Sequence, residues 1–329
     1  MTIKAKIENL LSEFKELSVN EIVNKISASN QMVHLALKQL IENGEVIKLG
    51  SSPKTIYRKV ASVINNDDLK KIENILEEEL TFLQENFLLV TDIGNLVEGI
   101  DAFEYWCKQR KLPLEKTIKE FISTKKKYEI YYNNKHIIDG TEKLKNTKEY
   151  DTIWLDKLYY LDFYATERFG KTRLGTLLHY AKQGQNKYLM QIMMKKIEEK
   201  IKLFIENNNI DAVAFVPPTI RREIQIMKFI QQKLNLSLPH IEIQKISGII
   251  PIPQKSLSKI NERIKNAENT FAVVDKRNFK HVLLIDDAVG SGSTLNQIAE
   301  KIKNKKVAQK VTGIAVVGSF KGFDVITDV

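Results

Sequence analysis

The sequence predicts an α/β protein whose C-terminal half forms a parallel sheet, preceded by a small helical module and a mainly helical middle segment. Three observations carry that prediction. From about Tyr159 onward, apolar strands alternate with amphipathic helices, the pattern of a sheet built with right-handed crossovers. At 281–295 an apolar strand, His281-Val-Leu-Leu-Ile285, runs straight into Asp286-Asp287, a small-residue turn and a helix start. Residues 1–62 read instead as three short helices followed by a hairpin.

The length of 329 residues suits two or three domains. The changes of pattern divide the chain into 1–62, a helical linker or middle segment at 63–158, and 159–329. A net charge of +10 favours polyanionic partners, nucleic acid or phosphorylated metabolites. Cys107 is the only cysteine, which excludes an internal disulfide and a thiolate zinc cluster. Neither a signal-like N-terminus nor an apolar run of membrane-spanning length occurs, so the expectation is a soluble, cytoplasmic protein with no membrane partner.

In the first module Ile7, Leu10, Leu11 and Phe14 form one helical stripe. Val19 to Ile26 is a short second helix with Ser18 as its N-cap. Ser29 caps a third helix, Asn30 to Asn43, whose Val33, Ala36, Leu37, Leu40 and Ile41 recur at helical spacing and which Gly44 ends. Glu45 to Leu49 and Thr55 to Val60 alternate as strands around Gly50-Ser-Ser-Pro-Lys54. That order resembles a winged helix-turn-helix over its whole length. The resemblance implies a nucleic-acid partner: Asn30, Gln31, His34 and Lys38 would face a major groove, and Lys48, Lys54 and Arg58 would meet phosphates. Winged helices also serve as protein-docking or dimerising modules.

An amphipathic helix follows at 65–85, with Leu69, Ile72, Ile75, Leu76, Leu80 and Leu83 on one face. It reads either as a linker or as a homodimer seam. Asn86 to Thr91 reads as a strand, a helix carrying Phe103, Trp106 and Cys107 comes next, and then Leu114 to Thr124. These aromatics and the cysteine read as core, and Lys125-Lys-Lys127 as a solvated face.

The C-terminal half reads as helix 186–206, strand 212–217, helix 221–234, strand 240–245, strand 281–285, helix 293–303 and strand 311–317. In such sheets ligands sit beyond the carboxyl ends of strands, where the loops after Val216 and Ile285 both fall. Asp286 and Asp287 are suited to sugar hydroxyls or Mg²⁺, and the amides of Gly290, Ser291, Gly292, Ser293 and Thr294 to a phosphate at a helix N-terminus. The bland alternative is a strand-to-helix turn with a solvated acidic pair. No Ser-His-Asp or metal-ligand spacing competes; the five histidines are scattered and His281 reads as structural.

This stretch resembles the 5-phosphoribosyl-1-pyrophosphate (PRPP) signature of type I phosphoribosyltransferases, with Gly290 standing where Thr or Ser is usual. Three further stretches resemble the ComF-like branch of that family. Val216-Pro-Pro-Thr-Ile-Arg-Arg-Glu223 is similar to the pyrophosphate loop, implying Pro218, Thr219, Arg221 and Arg222 as its ligands. Gln254-Lys-Ser-Leu-Ser258 with Glu262, Arg263, Asn266 and Phe271 resembles the mobile catalytic loop, implying Lys255 and Arg263 as cations for the leaving group. Phe169 to Gly184 looks like the segment that opens the fold and would offer Arg173 and Lys182 to the ligand. The resemblance spans about residues 165 to 320 and lacks the branch's zinc ribbon.

What the resemblance implies is a type I phosphoribosyltransferase-like sheet that binds PRPP with Mg²⁺ at Asp286 and Asp287. Transfer of a phosphoribosyl group would release pyrophosphate, placing the protein in nucleotide metabolism. Retained cations favour an active enzyme. One alternative is a PRPP-sensing DNA-binding transcription regulator, similar to the winged-helix purine repressors. Another is an effector of a bacterial antiphage conflict system with a protein or RNA partner.

Overall fold

The computed structural model describes residues 2–14, 16–43, 45–49, 55–59, 75–92, 94–147, 150–218, 220, 222–246 and 270–321. Its first elements are α1 (Ile3–Phe14), β1 (Glu16–Leu17), α2 (Val19–Ile26), α3 (Asn30–Glu42), β2 (Val46–Leu49) and β3 (Ile56–Lys59). Ser18 and Glu21 cap α2 reciprocally: the Ser18 amide donates to Glu21 Oε2 at 2.7 Å, and the Glu21 amide to Ser18 Oγ at 3.4 Å. Ile7, Leu11, Ile22, Leu37, Leu40 and Tyr57 share one core. The hairpin gains a third strand that the sequence did not suggest, since β1 pairs with β3 at Glu16↔Arg58 and Leu17↔Tyr57. Two residues are too few to show a period. Gly44 and the turn 50–54 lie outside the described residues.

The helix expected over 65–85 is described only as α4 (Glu77–Asn86), and 65–74 lie outside the described residues. Leu76, expected on its apolar face, is extended and exposed instead, its amide donating to Glu79 Oε2 at 3.1 Å. Next come β4 (Leu88–Val90), β5 (Leu96–Glu98), α5 (Gly99–Arg110) and α6 (Leu114–Glu129). Phe103, Trp106 and Cys107 are buried with Phe87, Phe121 and Phe169. Burial pushes the Cys107 thiol up to about 11, which leaves it unreactive at neutral pH. The continuation of α6 past Thr124 carries Lys126 and Lys127, both exposed.

The remaining elements are β6 (Ile138–Asp139), α7 (Thr141–Lys145), β7 (Lys157–Tyr160), β8 (Ala165–Thr166), β9 (Gly170–Lys171), α8 (Arg173–Gln183), α9 (Lys187–Asn207), β10 (Ala212–Phe215), α10 (Ile226–Leu234), β11 (Ile243–Lys245), β12 (Phe271–Val273), β13 (Phe279–Val289), α11 (Ser293–Asn304) and β14 (Ala308–Gly318). A five-stranded sheet runs β10-β13-β14-β7-β6, parallel except for β6 at its edge. The middle segment thus supplies a strand to the sheet.

Three expectations need correction. The strand read at 240–245 is not a full member of the sheet: only His240 bridges Val213, and β11 pairs antiparallel with β12. Phe271, expected in a mobile loop, opens β12 and is buried. The strand read at 281–285 continues to Val289, because β14 runs as long beside it and pairs Asp286 with Ala315 and Val289 with Gly318.

The core follows from alternation along β13. Leu283 and Ile285 face a cluster with α8, α9 and α10, while Val282 and Leu284 face one with α11. Both faces of the strand are covered, so it reads as an unbroken apolar run.

Candidate functional site

The same alternation positions the two carboxylates. Asp287 shares its side of the sheet with Leu283 and Ile285, and therefore meets α8; Asp286 falls on the α11 side. Asp287 is buried at 6% exposure and ion-pairs with Lys182 Nζ, from the last turn of α8. The Asp287 amide donates to Asp286 Oδ1 at 2.7 Å, fixing the first carboxylate against the backbone of the second.

Past Val289 the chain turns through Gly290, Ser291 and Gly292 into α11. Gly292 is the N-cap at φ +88°, and brings no side chain to cap the helix, so the amide-rich end faces the cleft. Ser291 Oγ and Ser293 Oγ lie 2.6 Å apart, and the Ser293 amide donates to Ser291 Oγ at 3.4 Å.

The loop after β10 closes the site from the other side. The helix expected from Arg221 begins only at Ile226, because 222–225 are tied into a turn: Gln225 Nε2 donates to the carbonyls of Ile220 and Arg222, each at 3.2 Å, and the Ile224 amide to Gln185 Oε1 at 2.8 Å. Arg222 donates to the Lys182 carbonyl and, at 3.0 Å, to Gln183 Oε1. The Arg222 guanidinium thus docks on the C-terminal end of α8, whose Lys182 side chain runs instead to Asp287.

A cleft of about 740 Å³ gathers these pieces. Its walls include Asp286 and Asp287, Gly290 to Thr294, Lys182, Pro218 and Arg222. Arg173, expected beside them, is turned away: it donates to the Gln84 carbonyl at 2.7 Å and ion-pairs with Glu98. Thr219, Arg221, Lys255 and Arg263 lie outside the described residues. Sequence reasoning missed Tyr150, whose hydroxyl reaches Ser291 and Ser293, and Asn296, which binds the backbone of 152–155. It also missed Tyr164, whose hydroxyl lies 3.0 Å from His179 Nδ1 at the cleft wall. None of these belongs to a local pattern. His281 has the structural role expected, with Nδ1 at 2.9 Å from the Asn208 carbonyl and Nε2 at 2.8 Å from Thr312 Oγ1.

The acid pair does not make a resident divalent-metal site on its own. It offers two carboxylates, one of which already carries the Lys182 ammonium, and among the described residues no group of three or more His, Cys, Asp and Glu could complete a shell.

In the N-terminal module, Asn30, Gln31, His34 and Lys38 are all exposed on α3, and Lys48 is exposed on β2. Arg58 is exposed but ion-pairs with Glu16 of β1, so its charge is already matched; Lys59 donates to Ser12 Oγ at 2.8 Å. Lys54 lies outside the described residues. Among the described residues, no helix is long and apolar enough to cross a membrane.

Among solved structures, the chain aligns with an adenine phosphoribosyltransferase at 14% identity, over 39% of this chain and 71% of that one, with a TM-score of 0.26. It aligns with a purine phosphoribosyltransferase from Pyrococcus horikoshii Ot3 at 13% identity, over 39% of this chain and 83% of that one, with a TM-score of 0.24. No protein-family model matches the sequence. No curated protein matches it either.

Proposed function

We propose that the cleft binds PRPP and that the chain transfers or exchanges its phosphoribosyl group with release of pyrophosphate. The observation that carries this reading is convergence: the contiguous acid pair and helix-start turn line one cavity with Pro218 and Arg222 of the loop after β10 and with Lys182 of α8, both distant in sequence. Asp286 and Asp287 accept the ribose hydroxyls. The amides of 290–294 hold the 5-phosphate at the start of α11. Arg222 and Pro218 of the loop after β10 take the diphosphate, for which guanidinium offers paired donors, and the family resemblance adds Thr219 and Arg221 to them. As the bond from ribose C1 to the diphosphate breaks, positive charge grows on the ring and negative charge on the leaving group. Carboxylates under the ring and cations at the diphosphate stabilise both, with Lys255 and Arg263 adding to the second.

Calorimetric titration with PRPP, with and without Mg²⁺, tests the reading. Binding should be saturable and lost in Asp286→Asn/Asp287→Asn with the fold retained. Equal affinity in that variant would remove the assignment.

A second reading, a DNA-binding regulator that senses PRPP, is favoured by the exposed row Asn30, Gln31, His34 and Lys38 on α3. On it the first module acts as a winged helix, and DNA affinity changes with PRPP. Neutralising Lys48, Lys54, Arg58 and Lys59 together should weaken DNA binding and flatten its salt dependence. An unchanged slope would exclude phosphate contact by the wing.

A further inference from the structure

We propose that Gln185, in the turn between α8 and α9, is a positioning residue: its side chain clamps the loop after β10 so that Arg222 presents its guanidinium to a diphosphate in the cleft. The diphosphate as ligand rests on the phosphoribosyl reading; the clamp itself does not.

The backbone of the turn is the starting point. Gly184 caps α8 at φ −80°, a conformation open to any residue. The next residue, Gln185, sits at φ +49°, in the left-handed region where a glycine would cost least. The Asn186 amide donates to the Ala181 carbonyl at 3.1 Å and closes the helix end around it. A side chain held in that region needs compensation from its surroundings. Gln185 has it across 39 positions of sequence, since its Oε1 accepts from the Ile224 amide at 2.8 Å.

The clamped loop leans on the same helix end. Arg222, two residues before Ile224, donates to the Lys182 carbonyl and, at 3.0 Å, to Gln183 Oε1. Carbonyls at a helix C-terminus carry partial negative charge, which favours the cation there. These bonds engage part of the guanidinium's N–H fork and orient the rest toward the cleft, whose wall Arg222 forms. Gln183, Arg222 and Gln225 line that wall, and Gln185 stands behind them. It therefore acts through the loop rather than on a ligand.

The turn is the fixed half of the clamp. Leu177, Leu178 and Ala181 of α8 and Leu189 and Met190 of α9 are buried in one core. Asn186 Oδ1 accepts from the Leu189 amide at 3.1 Å, so the second helix starts as firmly as the first ends. A loop fixed to such a platform meets its ligand with the ordering cost already met.

The test uses the full chain and two probes, inorganic pyrophosphate and ribose 5-phosphate, with Gln185→Gly as the central variant. That change removes the acceptor but relieves the backbone, so its two effects on stability oppose each other. The melting temperature should hold close to that of the wild type. Pyrophosphate affinity, measured by calorimetry, should fall about fivefold to tenfold while ribose 5-phosphate affinity stays as it is. In an Arg222→Met background the same change should cost no further affinity, because the two residues act in series. Unchanged pyrophosphate affinity in Gln185→Gly overturns the proposal, and so does an equal loss for both probes or a further loss in the Arg222→Met background. Wild-type binding of ribose 5-phosphate without pyrophosphate overturns it as well. Gln185→Met, which keeps the strained backbone, repeats the series should the glycine variant not fold. If the wild type binds neither probe, the phosphoribosyl reading fails and hydrogen exchange decides the clamp alone. The Ile224 amide should then lose protection in Gln185→Gly, and equal protection in both proteins overturns the clamp.

Discussion

The Tyr150 hydroxyl donates to the Ser291 carbonyl oxygen at 3.0 Å and lies 3.1 Å from Ser293 Oγ, so one phenol spans the turn that opens α11. The segment behind it is laced to the same helix. Asn296 Oδ1 accepts from the amides of Trp154 and Leu155 at 2.8 and 3.1 Å, and its Nδ2 donates to the Thr152 carbonyl at 3.1 Å. Residues 150–155 thus brace the turn from outside the cleft, which holds its amides in place before any ligand arrives.

Replacing Tyr150 by Phe keeps the ring and removes the brace. With the Ser291 carbonyl and the Ser293 hydroxyl no longer anchored, affinity for ribose 5-phosphate should fall about fivefold to tenfold, matching a lost hydrogen bond of about 1–1.5 kcal/mol. The melting temperature should change little, since Tyr150 is only partly buried. Calorimetry with the variant checks this, and unchanged affinity would mean the turn holds its shape unaided.

Legibility of this protein in its sequence follows the range of the interactions. The acid pair and the 290–294 turn are contiguous, so the local pattern exposes them. The caps at Ser18 and Ser29 are equally local and fall where the pattern puts them. The extension of β13 through Asp286 and Asp287 was hidden, because it depends on a long partner in β14. Arg173 reads as a ligand cation in its local sequence, but Glu98, distant in sequence, claims its guanidinium. Tyr150 and Ser293 meet across 143 positions, and no periodicity reports such a contact. The two residues of β6 and five of α7 are shorter than any window in which a period can be recognised.

Gly292 is the one turn residue whose identity the backbone dictates. Its φ of +88° is a region that side chains rarely adopt, and a Cβ there would come within 2.7 Å of Leu144 Cδ1. Leu144 is itself fully buried, so it has little room to retreat. Gly292→Ala should cost about 1–3 kcal/mol in stability and weaken ribose 5-phosphate binding more than the stability loss alone accounts for, because the strain falls on backbone that lines the cleft. Urea unfolding alongside calorimetry separates the two effects; a variant as stable and as tight as the wild type would show that the turn relaxes freely.

Lys143 supplies a pH-dependent test of the wall opposite. Its Nζ donates to the Ser319 carbonyl at 2.7 Å and stands 5.6 Å from the Tyr160 ring centroid, in a site where burial lowers its pKa from 10.5 to about 8. Ser319 lines the cleft, so this lysine fixes part of its rim. The sign follows from comparing the two states. Below about pH 8 the amine is charged whether the chain is folded or not, and the fold bears the full cost of burying it. Between about 8 and 10.5 the unfolded chain holds the proton that the folded chain has released, so stability from this group rises with pH. Above that range the cost is gone. Relative to Lys143→Met, the wild type should therefore gain on the order of 3 kcal/mol between the two ends of the window. Urea unfolding of both proteins at about pH 7 and pH 10.5 measures the difference. A constant gap between them would show that the ammonium is not disfavoured in its site, and a gap that closes as pH falls would reverse the sign argued for its burial.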